Sequence, residues 1–130
     1  MTDTMLLWLG MLSACIVTPL ALLYFGWRFQ KKPPAKINRR YGYRSKRSML
    51  NQDTWQYAHK CCGELWSSMG RWLMPLTLVA LIASYWGGEP VILLVAGLLI
   101  VLDLGVAFWT FYKVEGELKA VFDEAGQRKL

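Results

Sequence analysis

The 130-residue chain is 55% hydrophobic and 14% aromatic, and it carries a net charge of +6. This length allows one domain and leaves no room for a second core. The cations are segregated from long apolar runs, which is typical of a small polytopic membrane protein and argues against a water-soluble globular domain. We therefore predict an all-α membrane protein: three transmembrane helices with a basic cytoplasmic loop that leads into an extended second helix.

The first predicted span covers residues 5–27, in which no side chain is charged. The stretch is long enough to cross the hydrocarbon core with some tilt, and membrane helices tolerate a proline such as Pro19. The sequence around Cys15 resembles a lipoprotein cleavage box, which would make Cys15 a lipidated N-terminus. Apolar residues continue well beyond Cys15, so we favour an uncleaved first span.

The longest polar interval of the chain follows, and we call residues 37–63 the motif loop. Its first half is basic, and its second half has the spacing of a helix. Asn51 or Asp53 is expected to cap a helix that starts near Gln52. That helix is predicted to run without a stop into a second span at residues 66–86.

A Gly-Gly-Glu-Pro turn at residues 87–90 separates the second span from a third span at residues 91–112. Beyond the third span, residues 113–130 form a tail in which apolar side chains recur at helical spacing. We expect a short interfacial helix there, followed by a stop near Gly126.

Lys and Arg concentrate in residues 28–64, where ten cations face only Asp53 and Glu64 and give a net charge of +8. The positive-inside rule places this region in the cytoplasm, so the N-terminus is predicted outside and the C-terminus inside. A basic loop tethered to a membrane typically faces anionic lipid. We therefore expect membrane lipids, and no nucleic acid, among the partners.

The motif loop mixes cations with hydroxyls, amides and one glycine. Guanidinium groups bind phosphate or carboxylate bidentately, and Gly42 lets the backbone turn close to a ligand. The alternative is a topogenic loop that lies on anionic headgroups. Because a purely electrostatic tether needs no Tyr, Asn or Ser, we favour a structured ligand- or partner-binding site. Its candidate residues are Asn38, Arg39, Gly42, Tyr43, Arg44, Ser45, Arg47, Ser48, Asn51 and Trp55.

Asp103 is the only ionisable residue near the predicted bilayer midplane, which makes it a functional candidate by default. Arg71 of the second span is its expected partner. A structural polar clasp between two helices is the alternative to a functional role.

No pattern in the chain predicts catalysis. His59 is the only histidine, and no Walker loop, GxSxG, HExxH or paired-carboxylate signature is present. Three cysteines without CxxC spacing argue against a zinc site or a disulfide scaffold. We predict no catalytic residue, no metal and no cofactor, and an enzyme is the less favoured alternative.

The motif loop resembles the signature of the SdpI family of small bacterial membrane proteins. That signature reads Asn-Arg-x-x-Gly-Tyr-Arg-Thr-x-x-Ser-Met, then Asn, then Trp-x-x-Ala-x-x-x-x-Gly. Ser45 stands where threonine is usual and keeps the hydroxyl, whereas His59 stands where asparagine is expected. The matching residues are Asn38, Arg39, Gly42, Tyr43, Arg44, Ser45, Ser48, Met49, Asn51, Trp55, Ala58 and Gly63. The tail is also similar to short family members, through Glu117, Leu118, Phe122, Asp123, Gly126 and Arg128.

The resemblance implies a multi-pass protein of the bacterial cytoplasmic membrane that confers immunity to a membrane-active peptide toxin. The namesake of the family protects a toxin-producing cell against its own secreted peptide, and it also holds a transcriptional repressor at the membrane as a signalling receptor. The namesake is longer and has additional spans. By resemblance we expect a peptide toxin or a cytosolic regulator as the partner, and three spans leave lipid-facing surface for a homo-oligomer.

Three hypotheses follow. In the first, the three helices and the loop bind a membrane-active peptide or a protein partner and protect the cell. In the second, the loop grips the phosphate of an anionic lipid headgroup, as a binding protein or as an enzyme. In the third, the basic loop captures a cytosolic regulator.

Overall fold

The computed structural model describes all 130 residues, and they form three long α-helices. Helix α1 spans Asp3–Lys31, α2 spans Gln52–Ser84 and α3 spans Glu89–Val121. A 3-10 turn at Tyr85–Gly87 joins α2 to α3. All three helices are long and apolar enough to cross a membrane. The prediction of an all-α protein with three membrane-spanning helices is confirmed.

Helix α2 begins at the predicted position because Asn51 caps it. The Asn51 side-chain oxygen accepts a hydrogen bond from the Thr54 amide at 2.9 Å, and the Thr54 hydroxyl accepts one from the Asn51 amide at 3.1 Å. This reciprocal pair is a capping box, which satisfies two amides at the helix start. Asp53, the other candidate cap, instead accepts two hydrogen bonds of 2.8 Å from Arg128.

Helices α1 and α2 approach closely because glycines lie at their crossing. A Cβ on Gly26 would lie 2.6 Å from the Ser67 backbone nitrogen, so only glycine fits there. The Gln30 side-chain amide nitrogen lies within hydrogen-bond distance of the carbonyls of Gly26 and Gly63, both at 3.0 Å, and of the Ser67 hydroxyl at 2.8 Å. One amide thus joins both helices, and small residues with polar links are typical of membrane helix pairs.

The predicted separate helix in the tail is wrong, because α3 continues without a break to Val121. No proline interrupts the chain after residue 112, and the inner face of this extension is buried. Val114 and Leu118 are at most 1% exposed and pack against the motif loop and α2 rather than against lipid. The helix ends before Phe122, which forms an isolated antiparallel bridge with Arg128, so the predicted helix stop is present.

The protein has two buried clusters, one at each end of the bundle. The larger cluster joins α1, the motif loop, α2 and α3, and its members are Phe29, Tyr43, Ala58, Cys62, Val114, Leu118 and Phe122. The smaller cluster lies near the opposite end of the bundle and consists of Cys15, Leu81, Ala96 and Leu99. Tyr43 and Ser48 anchor the first half of the motif loop in the protein interior, so this segment is not a free tether.

The expected ion pair between Asp103 and Arg71 is not formed. Asp103 is 8% exposed, and its Oδ1 atom has no hydrogen-bond partner. Arg71 is exposed and lines a shallow groove between α1 and α2, together with Trp27 and Ser67. Asp103 is thus buried inside the bundle, whereas Arg71 lies on its surface. The order of the residues in the chain did not specify this difference.

Candidate functional site

Residues 52–63 of the motif loop form the start of α2, and the part before the helix, residues 37–51, docks on it through the ring of His59. The Tyr43 amide donates to His59 Nε2 at 2.9 Å, while His59 Nδ1 lies 2.7 Å from the Trp55 carbonyl. Nε2 must therefore be the acceptor and Nδ1 must carry the proton, which fixes a neutral tautomer. The His59 ring is fully buried between Trp55 and Phe29, with ring centroids 4.3 and 4.9 Å away.

Gly42 makes this docking possible for two reasons. Its φ angle is +111°, a region that only glycine adopts readily. A Cβ at this position would also lie 2.5 Å from His59 Nε2. The glycine of the motif thus allows the close approach of the loop to α2.

Trp55 holds the beginning of the loop. The side chain is fully buried, and its indole N–H donates to the Pro34 carbonyl at 2.7 Å. The position of the extended segment before the loop is fixed by this bond.

Asn38 and Arg44 shape the turn of the loop. The Asn38 side-chain oxygen accepts from the amides of Arg40 and Tyr41, at 2.9 and 2.7 Å. The Arg44 guanidinium donates to the Arg39 carbonyl. Both side chains therefore hold backbone that would otherwise be free.

Ser45 and Ser48 bond to each other's backbone. The Ser48 hydroxyl accepts from the Ser45 amide at 2.8 Å, and the Ser45 hydroxyl accepts from the Ser48 amide at 3.1 Å. Ser48 is fully buried, and its carbonyl accepts from the Thr54 hydroxyl at 3.0 Å. The hydroxyls of the motif are thus used inside the protein.

Tyr43 connects the loop to α3. Its hydroxyl donates to Glu115 Oε1 at 2.7 Å, and Arg47 Nε lies 4.0 Å from Glu115 Oε2. Burial, and after it the hydrogen bond to Glu115, raises the pKa of the Tyr43 hydroxyl well above its usual value. The hydroxyl therefore stays protonated and acts as a donor.

Asn51 connects the loop to the C-terminal tail. Besides capping α2, it donates from Nδ2 to the Gly126 carbonyl at 2.7 Å. Gly126 has a φ of +82°, and a Cβ there would lie 2.5 Å from Asn51 Nδ2. One side chain thereby fixes both the start of α2 and the return of the tail.

Most of the predicted site residues come together in one hydrogen-bonded scaffold. Their cationic side chains lie on the surface of that scaffold. The exposed cations of the loop before α2 are Arg39, Arg40, Arg44 and Lys46, and Arg47 is partly exposed. The loop is therefore a rigid, basic surface whose hydroxyls and amides are largely occupied. Such a surface can bind carboxylates, phosphates or an acidic protein segment.

A groove of about 270 Å³ runs beside this surface, between the loop and α3. Gly42, Tyr43 and Arg44 line it from the loop, and Trp66 and Phe111 line it from the helices. The groove therefore combines one guanidinium with aromatic rings. An amphipathic segment at the edge of the membrane has the chemistry to fit it.

Sequence reasoning missed three partners of the motif: His59, Glu115 and Gly126. The only local signal for His59 was its place one helical turn after Trp55. Glu115 and Gly126 lie more than 70 residues from the side chains that they bind. No spacing rule connects residues so far apart in the chain.

The SdpI/YfhL protein family model matches residues 35–112, which include the motif loop, α2 and most of α3. The curated proteins and the solved structures compared with the chain gave no match. The matched segment is more than half of the chain, and it contains the residues that dock the loop on α2. The chain belongs to the SdpI/YfhL protein family.

Proposed function

We propose that this protein protects a bacterial cytoplasmic membrane by binding a membrane-active peptide toxin. Membership of the SdpI/YfhL family is the observation that carries the proposal. The proposed orientation has the motif loop in the cytoplasm, because residues 28–64 carry a net charge of +8. No part of the protection depends on catalysis in this account.

The groove beside the motif loop supports a peptide as the ligand. Arg44 offers a charge-assisted donor for a peptide carbonyl or carboxylate, and Trp66 and Phe111 offer apolar area. Peptides that act on membranes are amphipathic, so a groove with both features suits them. An anionic headgroup in the loop has less support, because the hydroxyls of Ser45 and Ser48 are already bonded internally.

The test is a toxin challenge of living cells. The chain would be expressed in a bacterial strain that is sensitive to the secreted peptide toxin of the family's namesake and lacks an immunity protein. Membrane potential, reported by a fluorescent dye, and colony counts would be followed after toxin addition. We expect cells with the protein to keep their potential at toxin concentrations that depolarise cells with the empty vector.

Matched variants make the challenge specific. Arg44→Gln removes the groove cation and should lower protection at least tenfold in tolerated toxin concentration. Arg40→Gln removes a neighbouring exposed cation that lies outside the groove, and it should leave protection intact. Equal amounts of each variant in the membrane fraction would be verified by immunoblot. Cells with the wild-type protein that depolarise like empty-vector cells, across the peptide toxins of this type, would rule the function out.

A signalling role is the second candidate, and the rigid basic loop favours it. Exposed Arg39, Arg40 and Lys46 lie on a surface fixed by internal hydrogen bonds, so it can recognise an acidic cytosolic protein without ordering itself first. A cross-linker with a cytosolic extract, applied to inside-out vesicles, would test it. The triple variant Arg39→Gln, Arg40→Gln, Lys46→Gln should then lose a specific cross-linked band, whereas Arg71→Gln should keep it.

A further inference from the structure

A second groove lies between α2 and α3, and it shares no lining residue with the motif-loop groove. Its volume of about 550 Å³ exceeds the 270 Å³ of the motif-loop groove. Two lysines, two glutamates and an apolar floor line it: Lys60, Glu64, Leu65, Trp109, Lys113 and Glu117. Tyr57 and Cys61 complete its wall.

The four charges of this groove lie at successive levels along the bundle. Lys60 precedes Glu64 by one helical turn on α2, and Lys113 precedes Glu117 by one turn on α3. The two helices run antiparallel, and the hydrogen bonds that join Trp66 to Thr110 and Tyr57 to Glu117 show which of their residues lie at the same level. In this register the two lysines are neighbours in the middle of the groove, with Glu117 at one end and Glu64 at the other.

These opposite charges do not close on each other. The ion pairs of the protein are Arg47 with Glu115 and Arg128 with Asp53, and none of the four groove charges takes part in an ion pair within 4.0 Å. Two cations and two anions that line the groove therefore remain available to bind a ligand in it. A solvated helix surface would carry such charges too, but without a groove and an apolar floor between them.

Polarity changes along the groove. Leu65 and Trp109 lie at the end where α2 and α3 enter their predicted spans, and Lys60 and Glu117 lie at the opposite, polar end. The Lys113 ammonium is 5.8 Å from the Trp109 ring centroid, which places a cation and an aromatic ring together at the boundary. Tryptophan rings and long cationic side chains favour this level of a bilayer.

We propose that this groove binds the headgroup of a phospholipid that carries both a phosphate and a primary ammonium. Lys60 and Lys113 would bind the phosphate, and Glu117, at the polar end of the groove, would accept hydrogen bonds from the ammonium. The upper parts of the acyl chains would lie on Leu65 and Trp109. A phosphoethanolamine headgroup has this chemistry.

Other headgroups match the groove less well. An anionic phosphoglycerol headgroup has no cation for Glu117, so it would leave this carboxylate unpaired near its phosphate. A choline headgroup has a cation, but its quaternary nitrogen has no N–H to donate to a carboxylate. A carboxylate beyond the two lysines thus selects a zwitterionic lipid with a primary amine.

The first test measures lipid retention. The full-length protein would be extracted from vesicles of equal parts phosphatidylethanolamine, phosphatidylglycerol and phosphatidylcholine, and its lipid adducts would be counted by native mass spectrometry. We expect phosphatidylethanolamine adducts to exceed each of the other two at least fivefold. Equal retention of the three lipids, or an excess of phosphatidylglycerol or phosphatidylcholine, would overturn the proposal.

Two variants assign the preference to this groove. The double variant Glu64→Gln, Glu117→Gln keeps the shape of both side chains and leaves an acceptor for the Tyr57 hydroxyl, so folding should be preserved. The phosphatidylethanolamine excess should fall about fivefold, because neutral amides bind an ammonium more weakly than carboxylates do. The matched control, Glu124→Gln, neutralises an exposed glutamate outside this groove and should retain the excess. An unchanged excess in a folded double variant would overturn the proposal.

Cys61 supplies an independent reporter, because it lines the groove and is partly exposed while Cys15 and Cys62 are buried. N-ethylmaleimide would be added to the protein in nanodiscs of phosphatidylethanolamine with phosphatidylcholine, or of phosphatidylcholine alone. We expect Cys61 to react about fivefold more slowly in the first, since the bound headgroup covers it. The Cys61→Ser variant gives the background of the other thiols. Equal rates in both nanodiscs would overturn the proposal.

Discussion

Tyr43 lies where the motif loop, α2 and α3 meet. Its amide bonds to His59 on α2, and its hydroxyl bonds to Glu115 on α3. The ring is 9% exposed and belongs to the larger buried cluster. A single residue of the motif therefore joins two helices that are far apart in the chain.

Replacing Tyr43 by phenylalanine should destabilise the protein by about 1–2 kcal/mol, because Glu115 loses its donor in a partly buried place. Unfolding of the detergent-solubilised protein, followed by circular dichroism, measures the change. Tyr112→Phe is the control, since Tyr112 is 76% exposed. Equal stability of the two variants would show that the bond to Glu115 contributes nothing.

The stabilisation that the Tyr43 hydroxyl contributes should also depend on pH. The pKa of Tyr43 is raised in the folded protein, so its stabilisation is fully present below the ordinary tyrosine pKa of about 10 and is lost as the pH rises further. The stability difference between wild type and Tyr43→Phe should therefore shrink above about pH 10. A difference that stays constant there would contradict a buried, hydrogen-bonded hydroxyl.

Gly42→Ala should release the motif loop from α2. The new Cβ would lie 2.5 Å from His59 Nε2, and the backbone at φ +111° disfavours alanine as well. Because the loop is rich in Arg and Lys, trypsin should cleave it several times faster in the variant. Gly97→Ala is the control, since a Cβ there meets no atom within 4 Å. Cleavage of the loop at the wild-type rate would argue against the docking.

At the residue scale, local chemistry was predictable and distant partners were not. The Asn51 cap and the turn at Gly42 follow from rules that connect neighbouring residues. The bonds from Tyr43 to His59 and Glu115 depend on how helices pack, which no short spacing encodes. The ligand-binding role expected of the loop stays a prediction, whereas the internal partners of the Ser45 and Ser48 hydroxyls are a structural finding.

At the element scale, α1 and α2 pack through glycines. The Gly26 backbone approaches Ser67 too closely for a Cβ, and a Cβ on Gly70 would lie 2.7 Å from the Leu23 side chain. Lipid gives helices no hydrophobic reason to associate, so close backbone packing and the Gln30 hydrogen bonds stabilise this pair.

Gly26→Ala should destabilise the bundle by about 1–3 kcal/mol, since the added methyl group meets backbone atoms that cannot rotate away. Unfolding by increasing amounts of a denaturing detergent measures this. Gly105→Ala is the matched control, because its new Cβ meets nothing within 4 Å and alanine favours helix. A control variant less stable than Gly26→Ala would contradict the packing.

The spans were predictable as elements because apolar runs and caps are local signals. The continuation of α3 to Val121 was not, because the change from apolar to amphipathic composition after residue 112 suggested a second helix. Burial of Val114 and Leu118 against the loop explains the continuous helix. A tertiary contact thus decided where the helix ends.

At the scale of the whole molecule, the loop, the N-terminal end of α2 and the tail form one unit attached to three long apolar helices. The Asn51 bond to Gly126 and the Asp53 bonds to Arg128 fasten the tail to the start of α2. The polar parts of the chain are therefore collected at one end of the bundle, and the basic surface faces one side of the membrane.

The orientation predicted from charge has a direct check. Trypsin added to inside-out vesicles should cleave the protein within residues 28–64, while sealed cells treated from outside should leave it intact. The Gly42→Ala variant would serve as a positive control, because trypsin should cleave its released loop readily. Cleavage from outside would reverse the topology and exclude a cytosolic partner for the loop.

The central claim is that this SdpI/YfhL family protein binds a peptide toxin beside its motif loop. The most direct measurement is native mass spectrometry of the purified protein mixed with the peptide toxin of the family's namesake. We expect a complex for wild type and for Arg40→Gln, and at least tenfold less complex for folded Arg44→Gln. A wild-type protein that stays free of peptide at concentrations that kill sensitive cells would contradict the account.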